Sequence, residues 1–68
     1  MDVDVLVEFL KSQFGSLEII TTFDVKIKKW CLEINNHQIY TSEAFKNAVT
    51  FLRQETEIQF YCCFRSNA

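Results

Sequence analysis

Gly15 separates two apolar periods that no single regular element can accommodate. Before it, Val3, Leu6, Val7, Leu10 and Phe14 recur at spacings of three and four, which puts them on one face of a helix. After it, Leu17, Ile19, Thr21, Phe23, Val25 and Ile27 alternate with Glu18, Thr22, Asp24, Lys26 and Lys28, the period of a strand with one buried face. Glycine suits the boundary because it takes positive φ at a helix end, and Asp2 or Asp4 favourably meets the positive end of the helix dipole. A chain of 68 residues that must pack a helix on strands is expected to form one α+β domain over its whole length, 1–68.

The strand parity changes after Lys28. Trp30, Leu32 and Ile34 are now apolar against Cys31 and Glu33, so a turn or a bulge is expected near Lys28-Lys29, making 17–34 either one bent strand or a hairpin. Asn35-Asn36 reads as a two-residue hairpin turn leading to a third strand, His37 to Tyr40. Thr41 or Ser42 then caps a second helix whose apolar arc is Ala44, Phe45, Ala48, Val49, Phe51 and Leu52. Ile58, Phe60, Cys62 and Phe64, alternating with Gln59, Tyr61, Cys63 and Arg65, give a last strand, and residues 66–68 are expected to fray. The expected order is α-β-β-β-α-β, a mainly antiparallel sheet of three to four strands packed by two helices.

The chain is 49% hydrophobic and holds seven Phe, two Tyr and one Trp, more apolar bulk than one small core readily hides. Core packing is expected to absorb most of Phe14, Phe23, Trp30, Phe45, Phe51, Phe60 and Phe64. Val5 and Phe9, four residues apart, form a second stripe off the main face of the first helix, and Ile20, Tyr40 and Tyr61 also fall off the main faces. Val5, Phe9, Tyr40 and Tyr61 are therefore the residues expected to bind a partner, either another protein or a second copy of the chain.

Chemistry-bearing patterns are sparse. With one glycine and no proline, no glycine-rich phosphate loop exists. The only histidine, His37, stands beside the expected turn, where a dyad with Cys31 or Cys62 has no nucleophile motif to support it. Cys31, Cys62 and Cys63 are an odd set without zinc-ligand spacing, and the adjacent pair should point to opposite sheet faces, so free thiols are expected rather than a disulfide framework. Glu55 with Glu57, and Asp2 with Asp4, are expected to be solvated. No enzyme activity, cofactor or metal is therefore expected.

Charge narrows the partners further. A net charge of −2 does not suit a general affinity for nucleic acid or anionic membrane. Lys26, Lys28 and Lys29 beside Trp30 form the one basic and aromatic cluster, and they support the alternative of a module binding single-stranded nucleic acid. No apolar run approaches the roughly 20 residues of a membrane span. The acidic Met1-Asp2-Val3-Asp4 stretch is unlike a basic secretory leader, so a cytoplasmic protein with no membrane partner is expected. Among functions, the composition fits a small interaction module best: an adaptor or inhibitor acting by occupying a partner surface, of the kind phages encode against host machinery, with homodimerisation as one of its forms.

Overall fold

The computed structural model describes residues 2–15 and 17–64. Six elements follow in order: α1 (Val3–Phe14), β1 (Ile19–Asp24), β2 (Lys29–Ile34), α2 (His37–Tyr40), α3 (Glu43–Glu55) and β3 (Phe60–Phe64). The three strands make one mixed sheet in the order β1-β2-β3, with β1 antiparallel and β3 parallel to the central β2. The α+β expectation holds. Among the described residues the sheet has three strands, within the expected three to four, but it is antiparallel at only one of its two seams. Arg65 and residues 66–68 lie outside the described residues.

Each boundary has a local cause. Asp2 caps α1 by accepting from the Asp4 N–H at 2.7 Å, and Gly15 ends the helix at φ 75°, ψ −146°, a backbone region almost reserved for glycine. The parity change proves to be a turn, Val25–Lys28, opened by Asp24 Oδ1 accepting from the Lys26 N–H and completed by Lys28 at φ 56°. Residues 19–34 are thus a hairpin. Val25 and Ile27, which alternation assigns to a strand, sit exposed in its turn.

The expected third strand is absent: His37–Tyr40 is a short helix. Asn36 serves as its N-cap, its side chain accepting from the Ile39 N–H at 3.1 Å, so the residue that reads as half of a hairpin turn starts a helix instead. Ser42 joins α2 to α3 by donating to the Ile39 carbonyl at 2.8 Å while accepting from the Phe45 N–H at 3.1 Å. The two helices carry the chain from the end of β2 back to the start of β3, the crossover that a parallel pair requires.

The core lies on one face of the sheet. Leu6, Val7 and Leu10 of α1 and Phe45, Val49 and Leu52 of α3 pack with Leu17, Leu32, Ile34 and Phe60. Trp30, Leu32 and Ile34 share this face with their β1 partners Phe23, Thr21 and Ile19. Phe14 meets Phe45 edge-on at 5.3 Å. Of the seven aromatic residues expected for the most part in the core, Phe14, Trp30, Phe45 and Phe60 belong to it or pack against it, while Phe23, Phe51 and Phe64 are about half exposed. The sheet has one helix-covered face, and its capacity is filled by the smaller aliphatic side chains and by Phe45 and Phe60.

Candidate functional site: the sheet edges and the helix-free face

Backbone direction distinguishes the two sheet edges. The Asn35 N–H donates to the Glu18 carbonyl, which fixes Glu18, Ile20, Thr22 and Asp24 as the β1 residues whose polar backbone faces β2. Ile19, Thr21 and Phe23 therefore direct their N–H and C=O groups outward, where no described residue pairs with them. This edge has no proline, lysine or bulge to blunt it. Large apolar side chains surround it: Ile20 is 46% exposed, Phe23 44%, Val25 73% and Ile27 50%.

The β3 edge differs. The Trp30 N–H donates to the Gln59 carbonyl, so Gln59, Tyr61 and Cys63 face β2 while Phe60, Cys62 and Phe64 point outward. At the middle of this edge the Tyr40 hydroxyl donates to the Cys62 carbonyl at 2.8 Å. Tyr40 also packs on Phe45, and burial raises its pKa above the ordinary phenol value. An acceptor that could pair with a foreign strand is thereby occupied from within the chain.

The face of the sheet turned away from the helices carries Ile20, Thr22 and Asp24 of β1, Lys29, Cys31 and Glu33 of β2, and Tyr61 and Cys63 of β3. Tyr61 reaches from β3 across β2, its hydroxyl donating to Asp24 Oδ2 at 3.3 Å. Its pKa is raised, chiefly by the Cys31 thiol and also by desolvation and by Asp24. Lying beneath it, Cys31 is buried although none of the described helices covers this face. The Sγ atoms of Cys31 and Cys63 are 2.9 Å apart. Desolvation, a hydrogen bond with Cys31 and neighbouring negative groups push the Cys63 thiol up to about 12. Cys62 points to the opposite, core-packed face, and desolvation pushes its thiol up to about 11 against a smaller opposing effect of Arg53. A shallow concavity on the helix-free face is lined by Thr22, Asp24, Cys31, Glu33 and Tyr61.

The residues expected to bind a partner do not gather in one place. Val5 stands exposed on α1, and Phe9 is half-buried with its ring stacked on Phe51 of α3 at 6.5 Å. Tyr40 guards the β3 edge and Tyr61 bridges the open face. Of the basic and aromatic cluster, Lys26 and Lys28 are exposed in the turn and Lys29 is exposed at the start of β2. Trp30 is half-buried on the helix-covered side, edge-on to Phe23 at 5.4 Å, so its ring and Lys29 belong to opposite faces. His37 lies against Phe64 at 4.8 Å. Asp2 and Asp4, and Glu55 and Glu57, are exposed.

Among the described residues, no three of His, Cys, Asp and Glu gather where they could hold a metal ion, and no helix is long and apolar enough to cross a membrane. No protein-family model, curated protein or solved structure matches this chain.

Proposed function

We propose that the protein is a protein-interaction module of the cytoplasm, an adaptor or inhibitor that binds rather than catalyses, and that the β1 edge pairs it with a second copy of itself. The observation that carries this reading is the contrast between the edges: β1 offers outward backbone groups at Ile19, Thr21 and Phe23 within an exposed apolar rim, while β3 is guarded at its centre by Tyr40. Backbone groups at every second residue, with apolar side chains around them, are complementary to another extended strand. One open and one guarded edge favours a closed two-fold pair over a head-to-tail fibre.

Charge selects the register. With Thr21 on the two-fold axis, Asp24 would oppose Glu18 of the second copy. With Thr22 on the axis, Asp24 opposes Ile20 of the second copy and Glu18 falls beyond the end of its β1, the two Thr22 side chains meet, and Phe23 of each copy exchanges backbone hydrogen bonds with Thr21 of the other. The paired sheet would have six strands, leaving the Val5, Phe9 and Phe51 surface of each copy for a further protein.

Light scattering over a hundredfold concentration range tests this with the Thr21→Pro variant. Thr21 directs its N–H away from β2, so proline there removes an outward donor without removing a bond of the β1–β2 ladder. The expected result is a concentration-dependent dimer for the wild type and a monomer for Thr21→Pro with unchanged circular dichroism. A wild-type monomer at every concentration overturns the proposal. If mixed single-stranded oligonucleotides at low salt shift the Trp30 fluorescence of that monomer, the lysine cluster becomes the functional surface.

A further inference from the structure

The helix-free face holds a pair of thiols whose geometry is independent of the edge argument. Cys31 belongs to the central strand and Cys63 to the edge strand, 32 residues later, yet their Sγ atoms stand 2.9 Å apart. The arrangement follows from register: Cys31 aligns with Tyr61 and Glu33 with Cys63, so the two cysteines are diagonal neighbours on one face of a parallel pair. Cys62 cannot compete for either partner without leaving its place against the core on the opposite face.

We propose that Cys31 and Cys63 are a cross-linking site that a small disulfide oxidises to an intramolecular cystine, stapling β2 to β3. The half-buried Cys63 is reached first, Cys31 being buried beneath Tyr61. The Cys63 thiol, held largely protonated by its surroundings, reacts through its minor thiolate form, which attacks one sulfur of the incoming disulfide, forming a mixed disulfide and releasing one small thiolate. The Cys31 sulfur, having lost its proton to solvent, then attacks Cys63 Sγ and expels the second. The two protein sulfurs are each oxidised by one electron, the small disulfide is reduced to two thiols, and the protons released by the cysteines balance those the small thiolates take up. Because both cysteine sulfurs already sit side by side, the second step requires closure of the remaining gap rather than rearrangement of the strands.

A staple at this position acts on the costliest part of the fold. The β2–β3 seam forms only after the chain has travelled through α2 and α3, so its closure entropy is the largest in the sheet. Fixing that loop in the unfolded chain removes much of this cost, and a small domain has few other sources of reserve stability. In a reducing compartment the pair remains as thiols and the seam depends on packing alone; under disulfide stress it closes.

Oxidised glutathione is the probe. The reduced full chain, incubated with it and then alkylated and digested without reduction, is expected to show a peptide linking Cys31 to Cys63, a net loss of two hydrogens, and an alkylated Cys62. Thermal unfolding should move up by at least about 10 °C. Cys62→Ala should retain the cross-link and Cys63→Ser should lose both the cross-link and the thermal gain, with circular dichroism of each reduced variant confirming its fold. A persistent glutathione adduct on Cys63, a link involving Cys62, or a cross-linked chain no more stable than the reduced one would each overturn the proposal.

Discussion

Cys62 shows how a single side chain makes this fold sensitive to base. Burial against the core holds its thiol neutral up to a pKa of about 11, whereas in the unfolded chain it ionises near about 8.5. Between those values the unfolded state has released a proton that the folded state keeps, so stability falls as pH rises and is fully present below about 8.5. The slope from one such group is at most about 1.4 kcal/mol per pH unit. Urea unfolding under reducing conditions at pH 7.5, 9 and 10 should show this loss. Cys62→Ala should start less stable at pH 7.5, because a packed sulfur is gone, and then decline less steeply. Parallel curves for the two proteins would mean that the thiol is not the cause. Part of this chemistry is legible in the residues themselves: alternation along β3 separates Cys62 from Cys63, and Cys31 is out of phase with Trp30 and Leu32. The meeting of Cys31 with Cys63 is not legible, because it depends on β2 and β3 being neighbours in a register that no local pattern specifies.

At the scale of the element, α2 decides how the sheet ends. Its four residues form barely one turn, but they place the Tyr40 hydroxyl on the outward carbonyl of Cys62. Tyr40→Phe keeps the ring on Phe45 and removes only that donor, at an expected cost of about 1 kcal/mol. The more telling effect should be on assembly. With the middle of β3 unguarded, the β1 edge of one molecule can pair with the β3 edge of the next, an arrangement that does not close. Light scattering of Tyr40→Phe should reveal species larger than a dimer at concentrations where the wild type has none; an unchanged mass distribution would show that the hydroxyl does not protect the edge. Helices α1 and α3 are legible because twelve and thirteen residues span several turns of their apolar period. His37-Gln38-Ile39-Tyr40 is too short to display a period, contains two residues that favour strands, and follows an asparagine that serves a turn and a helix cap equally well. The parallel β2–β3 seam decided its form, since a strand at this point would have returned beside β2 in the antiparallel sense.

For the whole molecule, the question is where a chain this small finds its stability. A domain of 68 residues buries about 60% of the surface its unfolded chain exposes, and here one face of one sheet supplies the site of burial. Phe23, Val25 and Ile27 remain outside it, all at the β1 side, so pairing along β1 would add apolar burial where the monomer lacks it. If folded molecules associate and unfolded ones do not, mass action makes the unfolding midpoint depend on concentration. A tenfold increase stabilises the pair by about 1.4 kcal/mol, shared between two chains. With an unfolding entropy near 2.1 cal/mol/K per residue, that moves the midpoint up by roughly 5 °C per tenfold. Calorimetry of the reduced protein should show this rise, and the midpoint at a given concentration should lie higher at moderate than at very low salt because each copy carries a net charge of −2 that the other repels. Thr21→Pro should remove the concentration dependence while leaving a cooperative transition. A wild-type midpoint that stays fixed as concentration rises would mean that folding is complete within one chain, and that the exposed β1 rim contributes nothing to self-assembly.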